Sequence, residues 1–209
     1  MSRAVGKGAS DPRGRRSVTI NLMTPTTARL GKRDDMIVRA EFPYNAEPPT
    51  AALADGGITP IDAFYARNHG RFPATAPQDW QLVVNGRVDR PLSLTYEQLT
   101  TEFEQHEVVA TLACAGNRRA ELLRVRPIPG KEPWAHGAIS TARWRGVRLA
   151  DVLAAAGVQH DDGLHVAFEA LDIAEEATPA QRYGSSISLS KAMSHEVLLA
   201  WQMNSETLP

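Results

Sequence analysis

Thr111-Leu112-Ala113-Cys114-Ala115-Gly116-Asn117-Arg118-Arg119-Ala120-Glu121 contains the only cysteine of the chain. Ahead of it runs a β-branched, apolar series, Val108, Val109, Thr111 and Leu112, the pattern of a buried strand. Ala115-Gly116-Asn117 then permits a tight turn and a close backbone approach to a ligand. The order predicts a strand that delivers a thiol at its C-terminal end, beside two arginines. A lone cysteine commonly packs as a small hydrophobe. Two adjacent guanidiniums argue otherwise here, because each must stay solvated or meet an anion. Fixed positive charge favours a thiolate, so Cys114 is a candidate metal ligand or nucleophile.

The flanking sequence supplies the frame for that strand. Gln81-Leu82-Val83-Val84, Asn85-Gly86 and Arg87-Val88 predict a hairpin with a type I′ turn, since Asn-Gly tolerates positive φ at both central positions. Leu94-Thr95-Tyr96-Glu97-Gln98-Leu99 opens a helix, with Thr95 and Gln98 as a capping box and Leu94 with Leu99 as a hydrophobic staple. Further on, Leu149, Val152, Leu153 and Ala156 recur at helical spacing before Gly157, a core-facing helix with a glycine stop. Leu164, Val166 and Phe168 alternate with His165, Ala167 and Glu169, so a half-buried strand is expected to end near Leu171-Asp172. Ser190 is read as the cap of a short helix through Met193; Val197-Leu198-Leu199-Ala200-Trp201 follows as a buried strand and Asn204-Ser205 as a turn.

Composition narrows the function classes. At 209 residues the chain can bury one sizeable core. No apolar run approaches the roughly 18 residues of a membrane span, so no membrane partner is expected. One cysteine excludes an intramolecular disulfide and any zinc site built on several thiolates. The histidines show no His-Glu-x-x-His spacing, and His160 and His165 read as surface residues. Residues 1–33 hold eight Lys or Arg against Asp11 alone, which predicts a basic, disordered arm. That arm lacks interleaved aromatics, so no nucleic-acid partner is expected. After Arg15-Arg16 the run Ser17-Val18-Thr19-Ile20-Asn21-Leu22 is too short and polar for an export segment, which favours a cytoplasmic over a periplasmic location. Residues 34–62 carry several prolines and little periodicity, and read as an irregular lead-in.

The string Cys114-Ala115-Gly116-Asn117-Arg118-Arg119 resembles the molybdenum-binding core of the sulfite oxidase family, which includes the molybdenum domain of eukaryotic nitrate reductases. The likeness extends over residues 63–209 through Arg67-Asn68-His69, Arg124-Val125-Arg126-Pro127, Pro133-Trp134, Gly137-Ala138-Ile139-Ser140-Thr141-Ala142-Arg143-Trp144, Phe168-Glu169-Ala170-Leu171-Asp172 and Tyr183-Gly184, in family order. The Gly137 block and Arg124-Val125-Arg126-Pro127 look more like sulfite oxidases than nitrate reductases. Ala113, where glutamine is common, and Tyr65, where phenylalanine is common, depart from the family pattern.

The resemblance implies an α+β, sulfite oxidase-type molybdopterin-binding domain of mixed sheets and surrounding helices, of which residues 63–209 would be the N-terminal part, incomplete at the C-terminus. It implies molybdenum-molybdopterin as cofactor, with Cys114 as the protein ligand to the metal. Tyr65, Ala66, Arg67, Asn68, His69 and Asp172 would line the pterin. Arg67 and Arg119 would bind the oxyanion, and Trp134 would wall the substrate pocket. The implied reaction is oxidation of sulfite to sulfate by oxygen-atom transfer. The alternatives are a related nitrate or sulfoxide reductase, or a truncated domain without cofactor or activity. No heme module or nicotinamide fingerprint is found, so a separate electron acceptor such as a cytochrome c or oxygen is expected. The family's dimerisation domain is not in this sequence, which leaves a homodimer open.

Overall fold

The computed structural model describes residues 31–54, 56–71, 77–130, 132–161, 163–175 and 177–208. The basic arm expected over residues 1–33 lies outside them except for 31–33. In chain order the strands are β1 (Ile37–Ala40), β2 (Asn45–Glu47), β3 (Gln81–Val84), β4 (Leu92–Thr95), β5 (Gln105–Ala113), β6 (Ile139–Arg148), β7 (His165–Ala174), β8 (Gln181–Ser188), β9 (Leu198–Met203) and β10 (Glu206–Thr207). The helices are α1 (Ala51–Ala54), α2 (Tyr96–Thr101), α3 (Arg119–Leu122), α4 (Leu149–Ala156) and α5 (Leu189–Ala192). One four-stranded sheet, ordered β10-β9-β6-β5, accompanies three antiparallel pairs, β1-β2, β3-β4 and β7-β8. The architecture is α+β.

Apolar spacing explains the main core. The capping box is present: Gln98 N donates to Thr95 Oγ1 at 3.2 Å, and Thr95 N donates to Gln98 Oε1 at 3.1 Å. Leu94 and Leu99, the expected staple, are buried together with Val147 of β6, Val152 of α4 and Trp201 of β9. Helix α4 serves two cores, because Val152 faces that cluster while Leu149 and Leu153 face Leu189 and Ala192 of α5. It stops at Gly157, whose φ of 68° is a left-handed cap.

Several expectations need correction. The β3 hairpin partner is β4, with Val84 opposite Leu92, rather than Arg87-Val88 across a two-residue turn. Residues 87–90 leave the ribbon to bond elsewhere, Asp89 N to Gly157 O at 3.0 Å and Val88 in a bridge to Val158. The strand ahead of Cys114 is long, but it pairs only with β6 among the described residues. Val109 and Leu112 are exposed rather than buried. Strand β7 continues past Asp172 to Ala174 with an irregularity between Glu169 and Ile173, and Phe168 is exposed. The short helix is capped by Ser188, not Ser190, whose hydroxyl instead meets Ser188 Oγ. The lead-in is not irregular throughout: β1 and β2 pair within it. His160 and His165 are exposed, as read, and Asn204 and Ser205 form the β9–β10 turn with φ of 53° and 71°. No helix of the described residues is long and apolar enough to cross a membrane.

Candidate active site

Cys114 stands one residue beyond β5, half-buried, and its loop is closed by its own backbone. Asn117 N donates to Cys114 O at 2.9 Å, and Gly116 N points at Cys114 Sγ at 3.4 Å. Arg118 adopts φ of 68° to leave this turn and start α3, a conformation uncommon for a residue with a β-carbon. The two arginines then diverge. Arg118 lies at the surface, donating to Glu121 Oε2 at 2.7 Å, and His136 pairs with the same carboxylate. The Arg118 hydrogen bond, followed by the charges of Arg118, His136 and Arg124, holds the Glu121 carboxyl below its ordinary range. Arg119 turns inward across Gly116 and Gly130. A β-carbon on Gly130 would stand 2.3 Å from Arg119 Cζ, so this glycine makes room for the guanidinium.

Arg119 Nη1 donates to Glu132 O at 2.9 Å. Arg67 reaches the same residue from a distant part of the chain, with Nη2 at 4.0 Å from Glu132 Oε2. Arg67 faces the buried Glu132 carboxylate, whereas Arg119 meets only that residue's carbonyl and has no carboxylate partner among the described residues. The balance is one positive charge in excess, which suits an anion. Trp134, two residues on, is 0% exposed, and its indole Nε1 has no hydrogen-bond partner.

Residues 64–69 form the opposite side. Tyr65 N donates to Ser140 Oγ at 3.3 Å, and the ring of Tyr65 stacks on Phe64. Burial, and next the negative charge of Cys114, push the Tyr65 phenol above its usual range, which places the two side chains in one electrostatic neighbourhood. Ala66 exchanges both backbone bonds with Ala46, at 2.8 and 3.0 Å. Asn68 is held by Asn45 Oδ1, which accepts from its backbone N at 2.6 Å, and its side-chain amide donates to Tyr44 O. His69 stacks on Tyr183 of β8 with ring centroids 4.7 Å apart. Asp172 is half-buried within the β7 irregularity. The next residue, Ile173, crowds Gly70, whose missing β-carbon would stand 1.9 Å from Ile173 O.

The structure thus links Arg67, Arg119 and Trp134 through the Glu132 loop and Tyr65 with Cys114 through their electrostatic proximity, while Asp172 is set apart on β7, next to the Ile173 that meets Gly70. Ala66 and Asn68 mainly hold their segment against β2. The sequence reading missed Asn45, Glu47 and Glu132, all buried. For the two glutamates the one signal was a carboxylate beside proline, in Glu47-Pro48-Pro49 and Glu132-Pro133; Asn45 gave none. A separate cleft of about 550 Å³, lined by His160, Asp161, Ser188, Ser190 and Met193 among others, contains none of the sequence-predicted site residues.

The donor set constrains what could bind. Among the described residues no group of three or more His, Cys, Asp or Glu could enclose a bare ion. Cys114 offers one soft sulfur, so a metal held here would have to take its remaining ligands from elsewhere than these side chains.

A sequence model described as the oxidoreductase molybdopterin binding domain matches residues 69–209. The chain belongs to this family. Sulfite oxidase of Gallus gallus is 48% identical over 176 residues, 82% of this chain and 38% of that protein. Mitochondrial sulfite oxidase of Mus musculus is 42% identical over 206 residues, 97% of this chain and 37% of the relative. The NADH nitrate reductase of Petunia hybrida is 38% identical over 184 residues, 85% of this chain and 20% of the relative. Among solved structures, the sulfane dehydrogenase SoxCD of Paracoccus pantotrophus superimposes with a TM-score of 0.68 at 26% identity, over 98% of this chain and 48% of that one. The family domain here therefore spans well under half the length of the sulfite oxidases it matches.

Proposed function

We propose that this chain forms the substrate and metal side of a molybdenum-cofactor oxidoreductase that converts sulfite to sulfate. The observation that carries the reading is the meeting of Arg67 and Arg119 at Glu132, with one uncompensated positive charge next to the loop of the only thiol. Cys114 would supply the protein's thiolate to molybdenum. Tyr65, Arg67, His69 and Asp172, with Ala66 and Asn68 holding the segment in place, would line the pterin. When bound, the molybdenum cofactor supplies two-electron redox change and oxygen-atom transfer.

What the chain's own residues do follows from their chemistry. Arg67 and Arg119 attract and orient a small oxyanion through charge-assisted hydrogen bonds, and because they sit among buried groups, their pull is screened less than at the surface. Glu132 holds both guanidiniums in place, one through its carboxylate and the other through its carbonyl. Trp134 is fully buried behind the Glu132 loop and excludes water there, with its indole N–H unpartnered. A separate acceptor, a cytochrome c or oxygen, would take the electrons.

Nitrate reductases also match this chain at 38% identity, so the test must separate the substrates. The chain is expressed in a host supplied with molybdate, its molybdenum content is measured by mass spectrometry, and sulfite, nitrate and methionine sulfoxide are assayed in parallel. The expected result is bound molybdenum lost in Cys114→Ala, with sulfite the substrate turned over. Equal molybdenum in wild type and variant would remove Cys114 from the metal, and turnover of nitrate in place of sulfite would replace the substrate.

A further inference from the structure

Strand β2 precedes the segment matched by the family description, yet its side chains reach the site. Glu47 is 0% exposed and accepts three hydrogen bonds: from Arg39 Nε at 2.6 Å, from Ala135 N at 2.7 Å and from Gly137 N at 2.7 Å. The loop so held passes three of its carbonyls to the thiol segment. Ala138 O accepts from Cys114 N at 2.9 Å, Ala135 O from Arg118 N at 2.6 Å, and Trp134 O from Ala120 N at 2.9 Å. One buried carboxylate thus fixes, through a single loop, the backbone on both sides of the sulfur.

We propose that Glu47 is a positioning residue, whose carboxylate sets the place of Cys114 by clamping the loop at residues 135–137.

The chemistry requires a carboxylate. All three partners are N–H donors, and an ionised carboxylate only accepts. A glutamine of the same size would turn its own N–H₂ against at least one of them, leaving a buried donor unpaired. The clamp is also tight: a β-carbon on Gly137 would stand 2.4 Å from Pro48 O and 3.0 Å from the Glu47 side chain. Asn45, two residues earlier on β2, does the matching work for the other side of the site. Its Oδ1 accepts from Asn68 N, next to Arg67, and its Nδ2 donates to Glu132 Oε1 at 3.3 Å. A single strand therefore sets the spacing between the arginine segment and the thiol segment. The purpose of that placement rests on the proposed function above; the placement itself is measurable without the metal.

Cys114 is the only thiol, so its alkylation by iodoacetamide reports one position. In the full chain from a host grown without molybdate, Glu47→Gln should alkylate roughly fivefold faster than wild type or more, as expected when one buried hydrogen bond is lost from a local opening equilibrium. Leu99→Ala, which loosens the remote core, is the control for general destabilisation. A Glu47→Gln rate within twofold of wild type, or a rise equalled by Leu99→Ala, overturns the proposal. Should Glu47→Gln not fold, hydrogen exchange on the wild-type chain decides: the amides of Ala135 and Gly137 should open together with those of Cys114, Arg118 and Ala120, and independent opening overturns it. In the molybdate-grown chain Glu47→Gln should lose most of its molybdenum. A wild type without molybdenum would sink the proposed function while leaving the alkylation result on Glu47 intact.

Discussion

Around Leu99 and Val152, cohesion comes from side chains that carry no charge and meet across α2, α4, β6 and β9. Around Glu47 and Glu132 it comes from buried carboxylates answered by guanidinium and backbone N–H donors. The first arrangement is non-directional and tolerates small shifts, because apolar burial scales with area. The second is directional, and loses its energy steeply when a donor is displaced. A molecule that must hold a thiol and two arginines in register needs the second kind at the site, and can leave bulk stability to the first.

The sharpest way to break this comparison is Leu99→Ala. It should lower unfolding free energy by about 2–5 kcal/mol, as large-to-small changes in a packed core do, while the molybdenum content of the folded fraction stays at the wild-type level. Denaturant titration and metal analysis check the two halves, and a parallel loss of metal would show that the regions are not separable. Next in size, Arg119→Gln should leave stability nearly unchanged but raise the KM for sulfite by a factor corresponding to roughly 1.5–3 kcal/mol, the range for a hydrogen bond to a charged group. Steady-state kinetics decide it, and an unchanged KM would take Arg119 out of the anion site. Thr95→Ala removes the cap of α2 and should cost about 1 kcal/mol, read by thermal melting, with no kinetic effect.

The smallest expected effect concerns Lys32, which donates to Ile61 O at 2.6 Å. Burial lowers its pKa to about 8, with Asp62 pulling the other way. Because the folded state holds this proton less tightly than the unfolded chain, the charged lysine opposes folding below pH 8. That penalty lifts as pH rises from about 8 towards the ordinary lysine value of 10.5. The wild type should therefore gain stability relative to Lys32→Met across that window. Melting curves of both chains at pH 7 and pH 9.5 test the sign, and a constant difference would contradict it.

The elements that sequence reading captured are those whose cause is local. Thr95 and Gln98 cap α2 because they lie three residues apart, and Leu149, Val152, Leu153 and Ala156 recur with the helix itself. Gly157 ends α4 because it can take a positive φ. Asn85-Gly86 misled because a two-residue turn was as compatible with the sequence as a longer loop. The choice was made by Val158 and Gly157, which draw residues 88 and 89 away from the ribbon. Val109 and Leu112 looked buried because periodicity shows that a strand is apolar, and cannot show whether another layer covers the face on which each side chain stands.

At the site the division is similar. The residue types in Cys114-Ala115-Gly116-Asn117-Arg118-Arg119 were enough to single out the thiol, the turn and the arginines as a chemical unit. Which arginine turns inward was not written there. Arg119 enters because Gly116 and Gly130 leave room for it, and Arg118 stays outside on Glu121. The clamp at Glu47 was the least visible feature. Its partners are the backbone amides of residues 88 and 90 positions away, and an amide N–H has no residue type to recognise. By itself the sequence settled the family of chemistry and the local helices and caps, since those depend on side-chain identity at short spacing. Only the tertiary structure decided what holds the thiol and the two arginines at their mutual distance, since that depends on backbone groups which every residue shares.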